Sequence, residues 1–328
     1  MKDIHCKYFY ISTPKKYGCD LLELIYNILS SETAKEINLR KTILDGIASC
    51  SLEKSSIPHI LTDIDDTIYA HPGMFRINIA GSDYSWKKKK LYPGIEKFYK
   101  YFTKFTQDKH EGITIYKTIL SATPTALKNR KLKDDNLKNA LGDDFSFLSG
   151  KDSIKDAIKD VGKFSKKIDD EGEFSIEPNA ESVATTKFDK FQKYRSLFPE
   201  YKLLFIGDNG QGDLIAGEKM LIIDRKCMVF IHNIIKKDGN FKFDDKIIEK
   251  YITKDTNKDR LYFFKNYYEL SQIFLDLELL DQESVEKIKD AVKSTLEEKE
   301  NKYDDNIVDK NYYCCDATEC KRGCIKKI

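Results

Sequence analysis

"PHILTDIDDTIYAHPG", residues 58–73, decides how this chain is read. The apolar pair Ile60 and Leu61 leads into three aspartates within four positions, Asp63, Asp65 and Asp66. A short apolar run of this kind reads as a buried strand that ends where the charges begin. Carboxylates crowded at such an end repel one another and resist desolvation, so a fold that gathers them calls for a cation. The stretch predicts a metal site at the end of a strand.

Three more runs share the apolar character: "ITIYKTILSA" (113–122), "YKLLFIGD" (201–208) and "KCMVFIHN" (226–233). Their Ile, Leu, Val and aromatic content suits strands covered on both faces of a parallel sheet. Helical patterns lie between them. Ile95, Phe98, Tyr99 and Phe102 share one face after a proline start, which predicts a helix over Pro93–Phe105. A second helix, "KFDKFQKYRSLF" (187–198), leads into the third run, and Leu21, Leu24, Ile25, Ile28 and Leu29 predict helix within 18–50. Alternating strands and helices predict an α/β doubly wound sheet, which places ligands at the carboxyl ends of its strands.

The unusual residues fall at those ends. Asp208 closes "YKLLFIGD" and Asp213 follows in "IGDNGQGD", with glycines that permit a tight turn. Ser121 ends the second run in "ILSATPT", and Lys187 in "ATTKFDKF" opens the predicted helix. Each piece has an ordinary reading: a helix-capping aspartate, a surface turn, a strand-end serine, one lysine among many. Their order and shared placement at strand ends carry the inference of one site.

With 328 residues, 41% hydrophobic and 12% aromatic, the chain can build one large or two modest cores. A net charge of +2 from 56 basic and 54 acidic side chains gives no global pull toward nucleic acid, and no nucleic-acid partner is expected. No apolar run approaches the roughly 20 residues of a membrane helix, and "MKDIHCKYFY" lacks a signal-peptide core, so a soluble, cytoplasmic protein is expected. The scattered Cys6, Cys19, Cys50 and Cys227 agree with a reducing compartment. The tail cysteines Cys314, Cys315, Cys320 and Cys324 lack paired Cys-x-x-Cys units and a nearby histidine, which disfavours a zinc knuckle; acylation of Cys314 and Cys315 is the alternative to a plain tail. His59, His71 and His232 are far apart and are not read as metal ligands.

Two segments depart from the alternating pattern. In "YAHPGMFRINIAGSDYSWKKKKLYPG" (69–94), Phe75, Ile77 and Ile79 alternate and Gly81, Ser82 and Asp83 read as a turn, which predicts a hairpin flap. Its Trp86 and Lys87–Lys90 suit either an anionic lipid surface or a solvated loop. The stretch 126–184 is long and charged, with disorder expected at its ends. Further on, Val285, Ile288, Val292 and Leu296 share one face of a charged helix that either packs on the domain or docks a partner.

"DIDDT", Ser121, Lys187 and "GDNGQGD", in this order, resemble the four signature motifs of the haloacid dehalogenase (HAD) superfamily. A finer resemblance is to the catalytic domain of the actin-patch-associated phosphatidate phosphatases, relatives of the lipin catalytic domain. It rests on "TDIDDTI", "LYPGIEKFY", "SATP" where that family usually has Ser-Asn-Ser-Pro, and "TTKFDKFQKYRSLFPEYKLLFIGDNGQGD". The later "CMVFIHNI" and "LYFFKNYYELSQIFLDLELL" extend it, so that it spans about residues 58–281. Thr125 replaces that family's usual aromatic, Asp66 stands where the superfamily often has glycine, and 126–184 is divergent.

The resemblance implies a HAD-like Rossmannoid three-layer α/β fold with a mainly parallel sheet, an N-terminal helical extension and a C-terminal helical tail. The expected organisation is 1–56 as the extension, 57–281 as a phosphatase domain with insertions near 70–90 and 126–184, and 282–328 as charged helix and Cys-rich tail. It also implies a Mg²⁺-dependent phosphatase with an aspartyl-phosphate intermediate, acting on phosphatidate or a related lipid phosphate at a peripheral membrane contact. Asp63 would be the nucleophile, Asp65 the acid and base, and Ser121 and Lys187 the phosphate-positioning groups; Asp63, Asp65 through its carbonyl, Asp208 and, directly or through water, Asp213 would be the Mg²⁺ ligands. The alternatives are a phosphatase for a soluble phosphomonoester or phosphoprotein, or a non-catalytic lipid- or protein-binding scaffold.

Overall fold

The computed structural model describes residues 25–26, 33–50, 56–70, 78–79, 82–110, 115, 117–122, 135–142, 145–148, 165–168, 174–177 and 179–297. The tail cysteines, His71, Phe75, Ile77, Thr125, the start of the 18–50 helix and the first end of 126–184 lie outside these residues, whereas the disorder expected at the second end is overturned, because 180–184 opens an ordered helix.

Ile57–Thr62 forms β1, buried along nearly its whole length. It sits inside a six-stranded sheet with β3 (Lys117–Leu120), β4 (Phe145–Leu148), β7 (Tyr201–Asp208), β8 (Met228–His232) and β9 (Leu261–Phe264). The spatial order is β4-β3-β1-β7-β8-β9, and every pairing is parallel. The chain therefore runs outward from β1 to one edge and then resumes on the other side of β1. This reversal opens a crevice between the carboxyl ends of β1 and β7, the place where doubly wound sheets receive ligands.

Strand alternation identifies the flanking layers. His59 and Thr62 lie three positions apart on β1 and so face opposite sides of the sheet. His59 hydrogen-bonds Tyr194 on α4 (Ala180–Leu197), whereas Thr62 accepts from Tyr99 on α2 (Ile95–Lys109). With α4 goes α5 (Asp213–Ile223), and α1 (Ala34–Cys50) packs outside α4. With α2 go α7 (Tyr267–Asp276), through a ring cluster of Phe98, Phe102, Phe230 and Phe274, and α8 (Gln282–Glu297), which packs on both helices. The result is the expected three-layer α/β architecture. Two further helices among the described residues are short: α3 (Asp135–Leu141) precedes β4, and α6 (Asp245–Ile252) precedes β9.

Packing is tight where α8 meets the start of α2. Val285, Ile288, Val292 and Leu296 are all buried, so this face packs on the domain. A Cβ on Gly94 would lie 2.5 Å from Val292 Cγ2, and Gly94 also has a left-handed φ of 81°. Glycine meets both demands.

The structure corrects several expectations. Helix α2 starts at Ile95 after Gly94, with Pro93 in the preceding turn. Helix α4 starts at Ala180, not Lys187, because Asn179 caps it by accepting from the Ser182 backbone N–H at 3.0 Å. The stretch 126–184 is not simply an insertion: α3 and β4 lie within it, and β4 is the edge strand beside β3. Most of the predicted flap lies outside the described residues; within it Asn78–Ile79 (β2) pairs with Phe174–Glu177 (β6), which also pairs with Ser165–Ile168 (β5). Asp83 is not a surface turn residue. It is buried and accepts from Tyr92 Oη at 2.7 Å and the Ile235 backbone N–H at 2.8 Å. Trp86 is fully buried, which removes it from any lipid surface, while Lys87–Lys90 remain exposed.

Candidate active site

Parallel strands deliver the acidic residues to one end. β1 and β7 pair from Ile57↔Tyr201 to Thr62↔Ile206, so Asp63 and Asp208 emerge at the same edge of adjacent strands. The Asp63 backbone N–H still bonds the Ile206 carbonyl at 2.9 Å, which extends the ladder to the first aspartate. Ser121 follows β3 on the other side, buried, with its N–H on the Leu148 carbonyl at 3.1 Å.

Lys187 reaches this edge from inside α4. Its Nζ lies 2.6 Å from Asp63 Oδ1 and also donates to Asp213 Oδ1. Asp213 Oδ2 accepts the Asp208 backbone N–H at 3.4 Å, and Asp208 Oδ1 accepts the Gly210 N–H at 2.5 Å. Lys187, Asp208 and Asp213 are at most 3% exposed and Asp63 is 7% exposed, so these charges meet almost without water. Gly207 allows the approach, since a Cβ there would fall 2.7 Å from the Asp213 Cβ.

The electrostatics follow from this crowding. Burial pushes the Asp63 carboxyl up to about 7; Lys187 opposes the rise, and Asp213 and Asp65 add to it. Burial, then the charges of Asp213 and Asp63, hold Asp208 well above the usual carboxylate range. Burial works against the Lys187 charge, but Asp213 and Asp63 outweigh it and hold the ammonium above the ordinary lysine value.

Ligand oxygens of Asp63, Asp208 and Asp213 lie within 4.8 Å of one another. These carboxylates outnumber the Lys187 ammonium beside them, and oxygen donors suit a small hard divalent cation, so the donor set fits Mg²⁺. Both Asp213 oxygens are engaged, one by Lys187 and one by the Asp208 amide. Its main visible task is to hold Lys187, which agrees with a role toward a metal through water rather than a direct bond. Asp65 is half-buried in the turn after Asp63, and its charge is close enough to raise the Asp63 proton affinity. Asp66 takes a left-handed φ of 57°, the conformation that explains why glycine would also suit its position.

A second set of side chains holds the Asp63 loop and escaped the sequence reading. Tyr99 Oη donates to Thr62 Oγ1 at 2.8 Å, and that hydroxyl donates to the Asp63 carbonyl at 2.9 Å. Tyr267 Oη donates to the Thr67 carbonyl at 2.8 Å. His232 Nδ1 lies 2.8 Å from the Asp66 carbonyl. The signal for His232 was its position, at a strand end beside Asp208. His59 is elsewhere, stacked 4.4 Å from Tyr201 inside the fold.

Among the described residues no helix is long and apolar enough to cross a membrane. Comparison with known proteins leaves the geometry to stand alone: no family model, curated protein or solved structure matches this chain.

Proposed function

We propose that this chain is a Mg²⁺-dependent phosphatase of the HAD type that works through an aspartyl-phosphate on Asp63. The observation that carries this reading is the buried Lys187–Asp63 pair, at 2.6 Å, beside Asp208 and Asp213 at the sheet's switch point. A nucleophilic carboxylate held against a fixed ammonium, with oxygen donors for a divalent cation, is what in-line phosphoryl transfer requires.

An Asp63 oxygen attacks phosphorus and the bond to the leaving oxygen breaks, while Asp65 gives that oxygen its proton. Water then attacks the same phosphorus, its proton goes to Asp65, and the bond from phosphorus to Asp63 breaks. Inorganic phosphate leaves and both aspartates are restored. Lys187 balances charge on the transferring oxygens, and Ser121, at the next strand end, would hold one of them. Asp213 keeps Lys187 aimed at Asp63. Asp63, Asp208 and the Asp65 carbonyl would hold Mg²⁺, which when bound offsets negative charge and favours ionised Asp63.

The substrate we infer is phosphatidate or a related lipid phosphate, on the strength of the sequence blocks that resemble those of the phosphatidate phosphatases. The exposed Lys87–Lys90 run is compatible with an anionic surface. The test is phosphate release from phosphatidate in mixed micelles and from an aryl phosphate, with and without Mg²⁺, with Asp63→Asn as control. Turnover that needs Mg²⁺ and Asp63 supports the mechanism, and preference for the micellar substrate supports the lipid. Preference for the aryl ester points to a soluble phosphomonoester. Absence of turnover together with no Mg²⁺-dependent beryllofluoride binding favours a non-catalytic scaffold.

A further inference from the structure

We propose that His232 is a positioning residue that fastens the two acidic loops to each other and so sets where Asp63 lies relative to Asp208. This rests on the reading of those two aspartates as the phosphoryl and metal site.

His232 ends β8 directly beside Asp208 in register. Its backbone carbonyl accepts the Asn209 N–H at 3.1 Å, so its main chain already holds the residue that follows Asp208. Its ring reaches the other way. Strand β7 separates β8 from β1, yet Nδ1 comes within 2.8 Å of the Asp66 carbonyl, on the loop that leaves β1. One residue therefore spans the end of β7 and touches both loops. A carbonyl only accepts and a neutral imidazole carries one N–H, so the shorter of the ring's two carbonyl contacts, the one at Nδ1, is taken as the donated bond. Nε2 faces a second carbonyl, that of Lys265, at 3.2 Å. The ring is 2% exposed, stacked on Phe264 at 5.3 Å between centroids and met edge-on by Tyr92 at 5.0 Å, which restricts its rotation.

The anchored residue needs an anchor. Asp66 holds a left-handed backbone conformation that is unfavourable for a residue with a Cβ. Its N–H is tied to the Tyr69 carbonyl at 2.9 Å and its carbonyl to His232, so the turn is closed at both of its polar groups. Releasing the carbonyl lets the turn relax, and the residue immediately before it is Asp65. Tyr267 and Tyr99 secure the flanking carbonyls of Thr67 and, through Thr62, Asp63; His232 is the link that also reaches the Asp208 loop.

Two substitutions separate this role from packing. In His232→Asn the amide nitrogen can occupy the place of Nδ1, toward Asp66; in His232→Gln it occupies the place of Nε2, toward Lys265. The first readout is amide hydrogen exchange over residues 63–69 in the free protein, with circular dichroism to check the fold. His232→Gln is expected to speed exchange there about tenfold, the scale of one lost hydrogen bond, and His232→Asn to recover most of the protection. The second readout is Mg²⁺-dependent beryllofluoride affinity, expected to fall about tenfold in His232→Gln and to be largely rescued in His232→Asn. Equal effects of the two variants, or no effect of either on exchange, overturn the proposal whatever the protein binds. Wild-type protein that fails to bind beryllofluoride while the exchange pattern holds overturns the phosphatase reading alone.

Discussion

Lys187 Nζ and Asp63 Oδ1 lie 2.6 Å apart, one side chain from the interior of a helix and the other from the end of the central strand. Neither group could stay charged there alone. The pair is also incomplete, since Asp208 and Asp213 bring more negative charge than Lys187 can balance. Stability and the proposed function therefore draw on the same few atoms.

Removing the cation should expose that dependence. Lys187→Met leaves Asp63 and Asp213 buried without their ammonium, and breaking a buried pair costs about 3–5 kcal/mol. Urea unfolding in metal-free buffer is expected to show a loss of that size. Millimolar Mg²⁺ should recover part of it by supplying positive charge to the cluster. An equal loss with and without Mg²⁺ would speak against a metal site.

Asp63 should make metal-free stability fall as pH rises. Its carboxyl titrates near 7 in the folded chain against 3.8 as an ordinary group, so between these values the folded state binds more protons than the unfolded one. The stabilising contribution is complete below about 3.8 and is lost as pH climbs through 7. Asp63→Asn removes the titrating group. Without Mg²⁺ the variant should gain on wild type across this window, by roughly 2–4 kcal/mol at pH 8 relative to pH 4. Chemical denaturation of both proteins across that range measures the difference.

His59 acts in the opposite direction. Burial pushes its imidazole down to about 3 from 6.5, while Nε2 is held at 2.9 Å by both Thr118 Oγ1 and Tyr194 Oη. The unfolded chain takes up a proton below 6.5 and the folded chain does not until about 3, so this contribution to stability is lost as pH falls through that interval. His59→Gln keeps a polar group near Nε2 and removes the titration. Between pH 7 and pH 5 wild type should lose about 2 kcal/mol more than the variant, read from unfolding curves at the two pH values.

Gly207→Ala tests the approach of Asp213. The new methyl would fall 2.7 Å from the Asp213 Cβ, so Asp213 must move and Lys187 loses one of its two carboxylate partners. A misplaced charge-stabilising group commonly costs 10²- to 10³-fold in turnover, so about a hundredfold loss in kcat is expected. KM should change much less. A variant with full kcat would show that Asp213 does not set the position of Lys187.

Some of this was legible in the chain itself. Apolar runs that end in Asp63, Ser121 and Asp208 announce strands through local composition, because a strand covered on both faces has no polar side to offer. The edge strand β4 and helix α3 were not legible; "FSFL" is short and lies in a charged stretch, and what makes it a strand is the neighbour β3. Asn179 was missed as a helix start because the apolar pattern after Lys187 is more conspicuous than a single capping side chain.

The kind of sheet and the residue types at its carboxyl edge can be read along the chain, since both depend on order and spacing over a few residues. Which charges meet depends on the folded path. Lys187 and Asp213 are 26 positions apart and Lys187 and Asp63 much farther, and nothing local distinguishes this lysine from the other basic residues. The same holds for Trp86, which composition offered to a lipid surface and packing placed in the core, and for His232, which touches the Asp66 loop only because parallel pairing sets β8 beside β7. Periodicity is a property of neighbours along the chain; ion pairs and buried contacts depend on the folded path that brings distant segments together.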